Sequence, residues 1–60
     1  MFSIKIVTTK NEILLDNLSE LEVCEIFANA YNSISNLDPI VKFTDEVKID
    51  ALTLEYFNVQ

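Results

Sequence analysis

From Phe2 to Thr8 the chain alternates, with Phe2, Ile4, Ile6 and Thr8 on one side and Ser3, Lys5 and Val7 on the other. A period of two sustained over such a run predicts a β-strand. The polar stretch Thr9-Lys10-Asn11-Glu12 supplies a turn, with Asn11 suited to a left-handed backbone. Glu12 to Asp16, carrying Ile13, Leu14 and Leu15, then returns as a second strand and completes a hairpin.

At Ser19 the period changes. Val23, Ile26, Phe27, Ala30 and Ile34 recur at helical spacing, flanked by Cys24 and Tyr31, while Glu22, Glu25, Asn29, Asn32 and Ser33 fall opposite. Leu21 and Ala28 widen the apolar side. Ser19 and Glu22 have capping-box spacing, and Leu18 and Val23 that of a hydrophobic staple. Asn36 is suited to close the helix, and Pro39 prevents it from continuing.

Beyond Pro39 the pattern returns to period two. Ile40 to Phe43 predicts a short strand, Thr44-Asp45-Glu46 a turn, and Val47 to Val59 a final strand with a bulge or bend at Asp50-Ala51. The order β-β-α-β-β predicts one α+β domain over residues 1–60. Its four strands form one mainly antiparallel sheet with the helix packed on one face.

One helix covers one face of a sheet, yet apolar residues occur on both parities of the strands. With 60 residues, the chain buries only about 60% of the surface its unfolded form exposes. One cysteine excludes an internal disulfide, and that cysteine without any histidine excludes an ordinary zinc site. A second chain is the remaining source of stability. The sequence therefore predicts a homodimer, with Leu21, Tyr56, Phe57 and Val59 as interface candidates. Tyr56 and Phe57 alternate, so only one of them faces the helix. Phe27 and Phe43 are expected in the core.

Ten acidic residues against four lysines give a net charge of −6. That charge repels nucleic-acid phosphates and anionic membranes, and lysines spaced singly at Lys5, Lys10, Lys42 and Lys48 predict no basic patch. Direct nucleic-acid binding is not expected. No apolar run approaches the roughly 18 residues of a membrane span. A free cysteine and a first segment that reads as a strand rather than a secretory leader point to a reducing, cytoplasmic setting.

Catalytic chemistry finds no support in this chain. Nucleophilic catalysis needs a base beside Ser, Thr or Cys, and histidine is absent. Phosphate-binding loops need glycine, which is also absent. Cys24 beside the apolar stripe reads as a buried structural thiol. No catalytic, cofactor-binding or metal-ligating residue is predicted, and the chain does not read as an enzyme.

The helix carries the remaining signal. Glu20 and Glu22 suit the positive end of its dipole, but Glu25 lies further along and gains less from it. Glu22, Glu25 and Asn29, with Asp45 and Glu46 of the following turn, are the candidate partner-binding residues. Their chemistry suits a basic or nucleic-acid-binding surface on another protein. In size, acidity, glycine-free composition and β-β-α-β-β order the chain resembles phage-encoded inhibitors of host enzymes and defence systems, including DNA mimics. The resemblance implies a stoichiometric antagonist of a host protein and carries no motif. The alternative is a structural or adaptor subunit, antitoxin-like, in a larger complex.

Overall fold

The computed structural model covers residues 1–60 and contains five strands and one helix in the order β1 (Phe2–Thr8), β2 (Glu12–Leu18), α1 (Glu20–Ser35), β3 (Ile40–Lys42), β4 (Lys48–Asp50) and β5 (Leu54–Val59). The α+β class holds. The single four-stranded sheet does not: strands β2-β1-β5 form one antiparallel sheet and β3-β4 a separate hairpin.

The difference arises between Asp50 and Leu54, within the predicted final strand. Asp50 Oδ1 accepts the Leu52 N–H (3.0 Å), and its carbonyl accepts the Thr53 N–H (3.0 Å) and hydroxyl (2.9 Å). An Asp that folds the chain onto its own side chain in this way makes a turn rather than a bulge. The chain leaves the hairpin there and joins β1 as β5.

In the first hairpin the turn is made by a hydroxyl. Thr8 Oγ1 accepts the N–H groups of Lys10 (3.2 Å) and Asn11 (3.0 Å). The left-handed residues are Asn17 (φ 55°) and Leu37 (φ 56°), not Asn11. Phe2 pairs with Leu18 but Ile4 with Leu15, so β2 carries one extra residue across this interval. That bulge extends the strand past the expected end at Asp16 and lets Leu18 pack on the core.

Register assigns the faces. Ile4 sits between Leu15 and Val59, and Ile6 between Ile13 and Phe57, on the side toward the helix. Lys5 lies between Leu14 and Asn58, and Val7 between Glu12 and Tyr56, on the outside. Ile4, Ile6, Ile26, Ala30, Val41 and Phe43 form the buried core.

Helix α1 begins with the predicted capping box. Glu22 N–H donates to Ser19 Oγ (3.2 Å), and Ser19 N–H donates to Glu22 Oε1 (2.9 Å). At its far end Leu37 N–H donates to the Ile34 carbonyl and Asp38 N–H to the Ser33 carbonyl, each at 3.0 Å. This is a Schellman closure with leucine where glycine is usual.

Three expectations for helix side chains are corrected, the first being Ile34, which belongs to the apolar stripe but is exposed and lies outside the core. Ser33, assigned to the polar side, is buried: its hydroxyl accepts the Lys42 N–H (3.2 Å). The β3-β4 hairpin docks along that side, and a short hydroxyl satisfies a strand N–H that would otherwise be buried unpaired. Cys24, expected to be buried, is exposed, because Val23, Ile26 and Phe27 take the contact with the core and leave the flank of the stripe in water.

Phe43 closes the core from the hairpin side. It is fully buried and meets Phe57 edge-to-face at 5.0 Å between ring centroids. A chain of this length has about 3–9 kcal/mol of stability to lose, and emptying a buried aromatic site costs about 3–5 kcal/mol. Phe43→Ala is therefore expected to remove most of the cooperative urea transition. A loss below about 1 kcal/mol would show that the two sheets hold together without this contact.

Candidate functional site

Helix α1 and the turn after β3 enclose a concavity of about 270 Å³, lined by Leu18, Glu22, Glu25, Ile26, Asn29, Phe43, Thr44 and Asp45. Four of the five predicted partner-binding residues therefore come together from segments well separated in sequence. The fifth, Glu46, follows Asp45 in the exposed turn and does not line the concavity.

Two sets of hydrogen bonds fix the walls. Asn29 Nδ2 donates to the Phe43 carbonyl (3.2 Å) and ties the helix to the end of β3. Thr44 Oγ1 accepts the N–H groups of Glu46 (3.2 Å) and Val47 (3.0 Å), which shapes the turn and places Asp45 at the rim. Asn29 thus works as a strut as well as a lining residue.

The three carboxylates differ in their commitments. The Ser19 backbone N–H, and secondarily its hydroxyl, hold the Glu22 carboxyl below its ordinary value of 4.5. The Lys42 ammonium, 3.0 Å from Asp45 Oδ1, holds that carboxyl below its ordinary 3.8, first by hydrogen bonding and then by its charge. Glu25 has neither a hydrogen-bond nor an ion-pair partner. Burial favours the neutral form of each shifted carboxyl, but its hydrogen bonds prevail, so both are ionised at neutral pH.

No basic side chain lines the concavity, and no three His, Cys, Asp or Glu side chains converge anywhere to hold a metal ion. The carboxylates act as a negative field over a shallow surface rather than as a chelate. Such a surface suits Lys or Arg side chains of a macromolecule.

The four predicted dimer residues are dispersed. Leu21 stands 68% exposed on the helix, and Tyr56 stands 49% exposed on the outer face of the sheet. Phe57 points the other way, with its ring 5.5 Å from Phe27 and 5.6 Å from Tyr31. Val59 pairs with Ile4 at the end of β5. Strand alternation separates Tyr56 from Phe57, so one surface cannot hold all four.

The structure also pairs two lysines. Lys42 and Lys48 are cross-strand partners in the β3-β4 hairpin, so not all lysines are isolated. Sequence spacing does not reveal this pairing, because it depends on the length of the turn between them. No helix is long and apolar enough to cross a membrane. Comparison with protein-family models, with curated proteins and with solved structures gives no match.

The lowered Glu22 value has a testable consequence. A carboxyl whose folded value lies below its unfolded one adds stability above the unfolded value, and that stability is lost as pH falls through the folded value. Relative to Glu22→Ala, the unaltered chain should hold a higher urea midpoint at neutral pH, and the gap should close on acidification below 4.5. A gap that persists unchanged at low pH would mean that the carboxylate does not cap the helix.

Proposed function

We propose that the protein is a small acidic binding domain that acts by stoichiometric association with a basic, nucleic-acid-binding surface of another protein. A phage-type antagonist of a host defence or nucleic-acid-processing protein is the form this reading takes. The observation that supports it most directly is the convergence of Glu22, Glu25 and Asp45 on one concavity, with Lys42 at Asp45 the one cation paired to them. In this reading, carboxylates ionised at the rim would stand in for the backbone phosphates of the nucleic acid that the partner binds.

The carboxylates do not contribute equally in this reading. Glu22 commits one oxygen to the helix cap and Asp45 shares its charge with Lys42, whereas Glu25 is uncommitted. Glu25 is therefore the principal contact. A permanent subunit of a larger complex is the second reading, favoured by large apolar side chains left in water, Leu37 and Leu52 among them.

Salt and substitution separate the two. The tagged protein is to be used to capture partners from a bacterial lysate at low and high salt. An electrostatic antagonist should release its partner as salt rises, whereas an apolar subunit contact should persist. Glu22→Lys confounds binding with loss of the cap, so Glu25→Lys is paired with Glu22→Gln, which retains a capping side chain. The pair should slow association with the captured partner by about tenfold or more while preserving the urea midpoint. Unchanged association would reduce the acidic helix to a solvated face.

Self-association, in this reading, uses the outer face of the three-stranded sheet around the exposed Tyr56 and Leu14, with Val7 already buried beneath them. Sedimentation equilibrium of Tyr56→Asp should then give the monomer mass where the unaltered chain gives twice that. Equal masses would exclude this face. Phe57→Asp cannot serve as the probe, since it places a carboxylate within the aromatic cluster.

A further inference from the structure

Near the opposite end of helix α1 lies a second concavity, of about 480 Å³, lined by Ile34, Leu37, Asp38, Pro39, Val41, Asp50, Ala51 and Leu52. Its floor is Val41, which is buried, and its walls are Leu37 and Leu52, exposed 89% and 92%. We propose that this groove docks a basic amphipathic segment of a partner protein, its apolar side chains between Leu37 and Leu52 and its Lys or Arg residues against Asp38 and Asp50. This goes beyond the acidic concavity, which has its own lining residues and its own test.

The backbone beneath both walls is held in place before any partner arrives. Leu37 is fixed by the Schellman closure, and Leu52 by its N–H to Asp50 Oδ1 (3.0 Å). Between them the Ala51 N–H donates to the Pro39 carbonyl (3.0 Å), locking the turn to the start of β3. A preorganised backbone loses less entropy on binding.

Leu37 is the telling residue. A left-handed backbone at φ 56° disfavours any side chain with a Cβ, and glycine removes that cost. Leucine here takes the backbone cost, and its side chain gains almost no burial in return. Residues held in this way gather at ligand clamps, where a contact outside the folded chain offsets the strain.

Charge selects the occupant. The only ionised groups in the groove's lining are Asp38 and Asp50; Asp38 also borders a third concavity, of about 500 Å³, on whose other side Lys42 and Lys48 stand. A second copy of this chain docked groove to groove brings a second pair of carboxylates, Asp38 and Asp50, to the same groove. Like charges placed together in an interface are costly, which disfavours self-docking. A partner segment that is apolar on one side and cationic at its margins satisfies both features.

The test uses the intact protein and two short helical peptides, one built only from Leu and Lys and the other only from Leu and Glu. Methyl resonances of Ile34, Leu37, Val41, Ala51 and Leu52 should shift saturably with the Leu/Lys peptide and not with the Leu/Glu peptide. Leu37→Gly should weaken binding about tenfold or more, because burial of a leucine side chain is lost. The same variant should raise the urea midpoint, since the strained backbone is relieved. Leu52→Ser should weaken binding similarly. So should Asp38→Asn combined with Asp50→Asn, a pair that removes both charges while the amide oxygen of the second keeps the turn. Glu25→Lys should leave these methyl shifts in place, so failure of the groove and failure of the acidic concavity are read separately. Three results would each overturn the proposal: shifts confined to the Glu22, Glu25 and Asp45 side; equal response to the Leu/Glu peptide; or groove shifts that follow protein concentration alone.

Discussion

The edge-to-face contact of Phe43 with Phe57 joins parts of the fold that no sheet hydrogen-bonding connects. Phe57 belongs to the three-stranded sheet, Phe43 follows β3 of the hairpin, and Phe27 and Tyr31 bring the helix to the same cluster. Aromatic rings carry large buried areas and prefer this edge-to-face geometry. In a chain with so few fully buried residues, one such cluster sets how the hairpin sits on the helix. Both concavities follow from that seat. The hairpin's turn brings Asp45 to the helix near Glu22 and Glu25, and its strand brings Val41 beneath Leu37.

Around the cluster, short polar side chains complete the contact between helix and hairpin. Asn29 gives its amide to the Phe43 carbonyl, and Ser33 receives the Lys42 N–H. Longer apolar residues at these positions would hold the strand away from the helix and leave its backbone groups unpaired. The helix is therefore polar along this side for packing reasons as well as for solubility.

That dual use explains which parts of the fold the sequence reveals. The β1-β2 hairpin and the capped helix are legible because each is specified locally, by alternation in one and by Ser19 with Glu22 in the other. The split into two sheets is not, since the shift of parity after Asp50-Ala51 reads equally well as a bulge within one strand. Only Asp50, by turning its carboxylate onto the Leu52 N–H, ends β4. A dipeptide that reads as a bend within one strand is in fact where the chain changes sheets. Burial departs from the helical pattern at Ser33, where the hairpin docks, and at Cys24 and Ile34, which the core does not reach. The acidic concavity is legible in four of its residues because helical spacing exposes Glu22, Glu25 and Asn29 together and the next turn is short and acidic. Leu37 is not legible, since nothing in local pattern marks a leucine as the left-handed residue of a helix end.

The carboxylates divide by their attachments. Glu12 pairs with Lys5 and Asp45 with Lys42, Asp16 and Asp50 accept backbone N–H groups, and Glu22 closes the helix cap. Glu20 lies in the first helical turn, where the dipole favours it. Structure thus accounts for much of the acidity without reference to any partner. Glu25, Asp38, Glu46 and Glu55 remain without such a role. Of these, Glu25 lines the acidic concavity, and Asp38 stands between the apolar groove and the concavity that Lys42 and Lys48 line. A carboxylate that lines a concavity faces whatever docks there. That two of the four uncommitted carboxylates do so, near opposite ends of one helix, is why the binding readings attach to these places rather than to net charge.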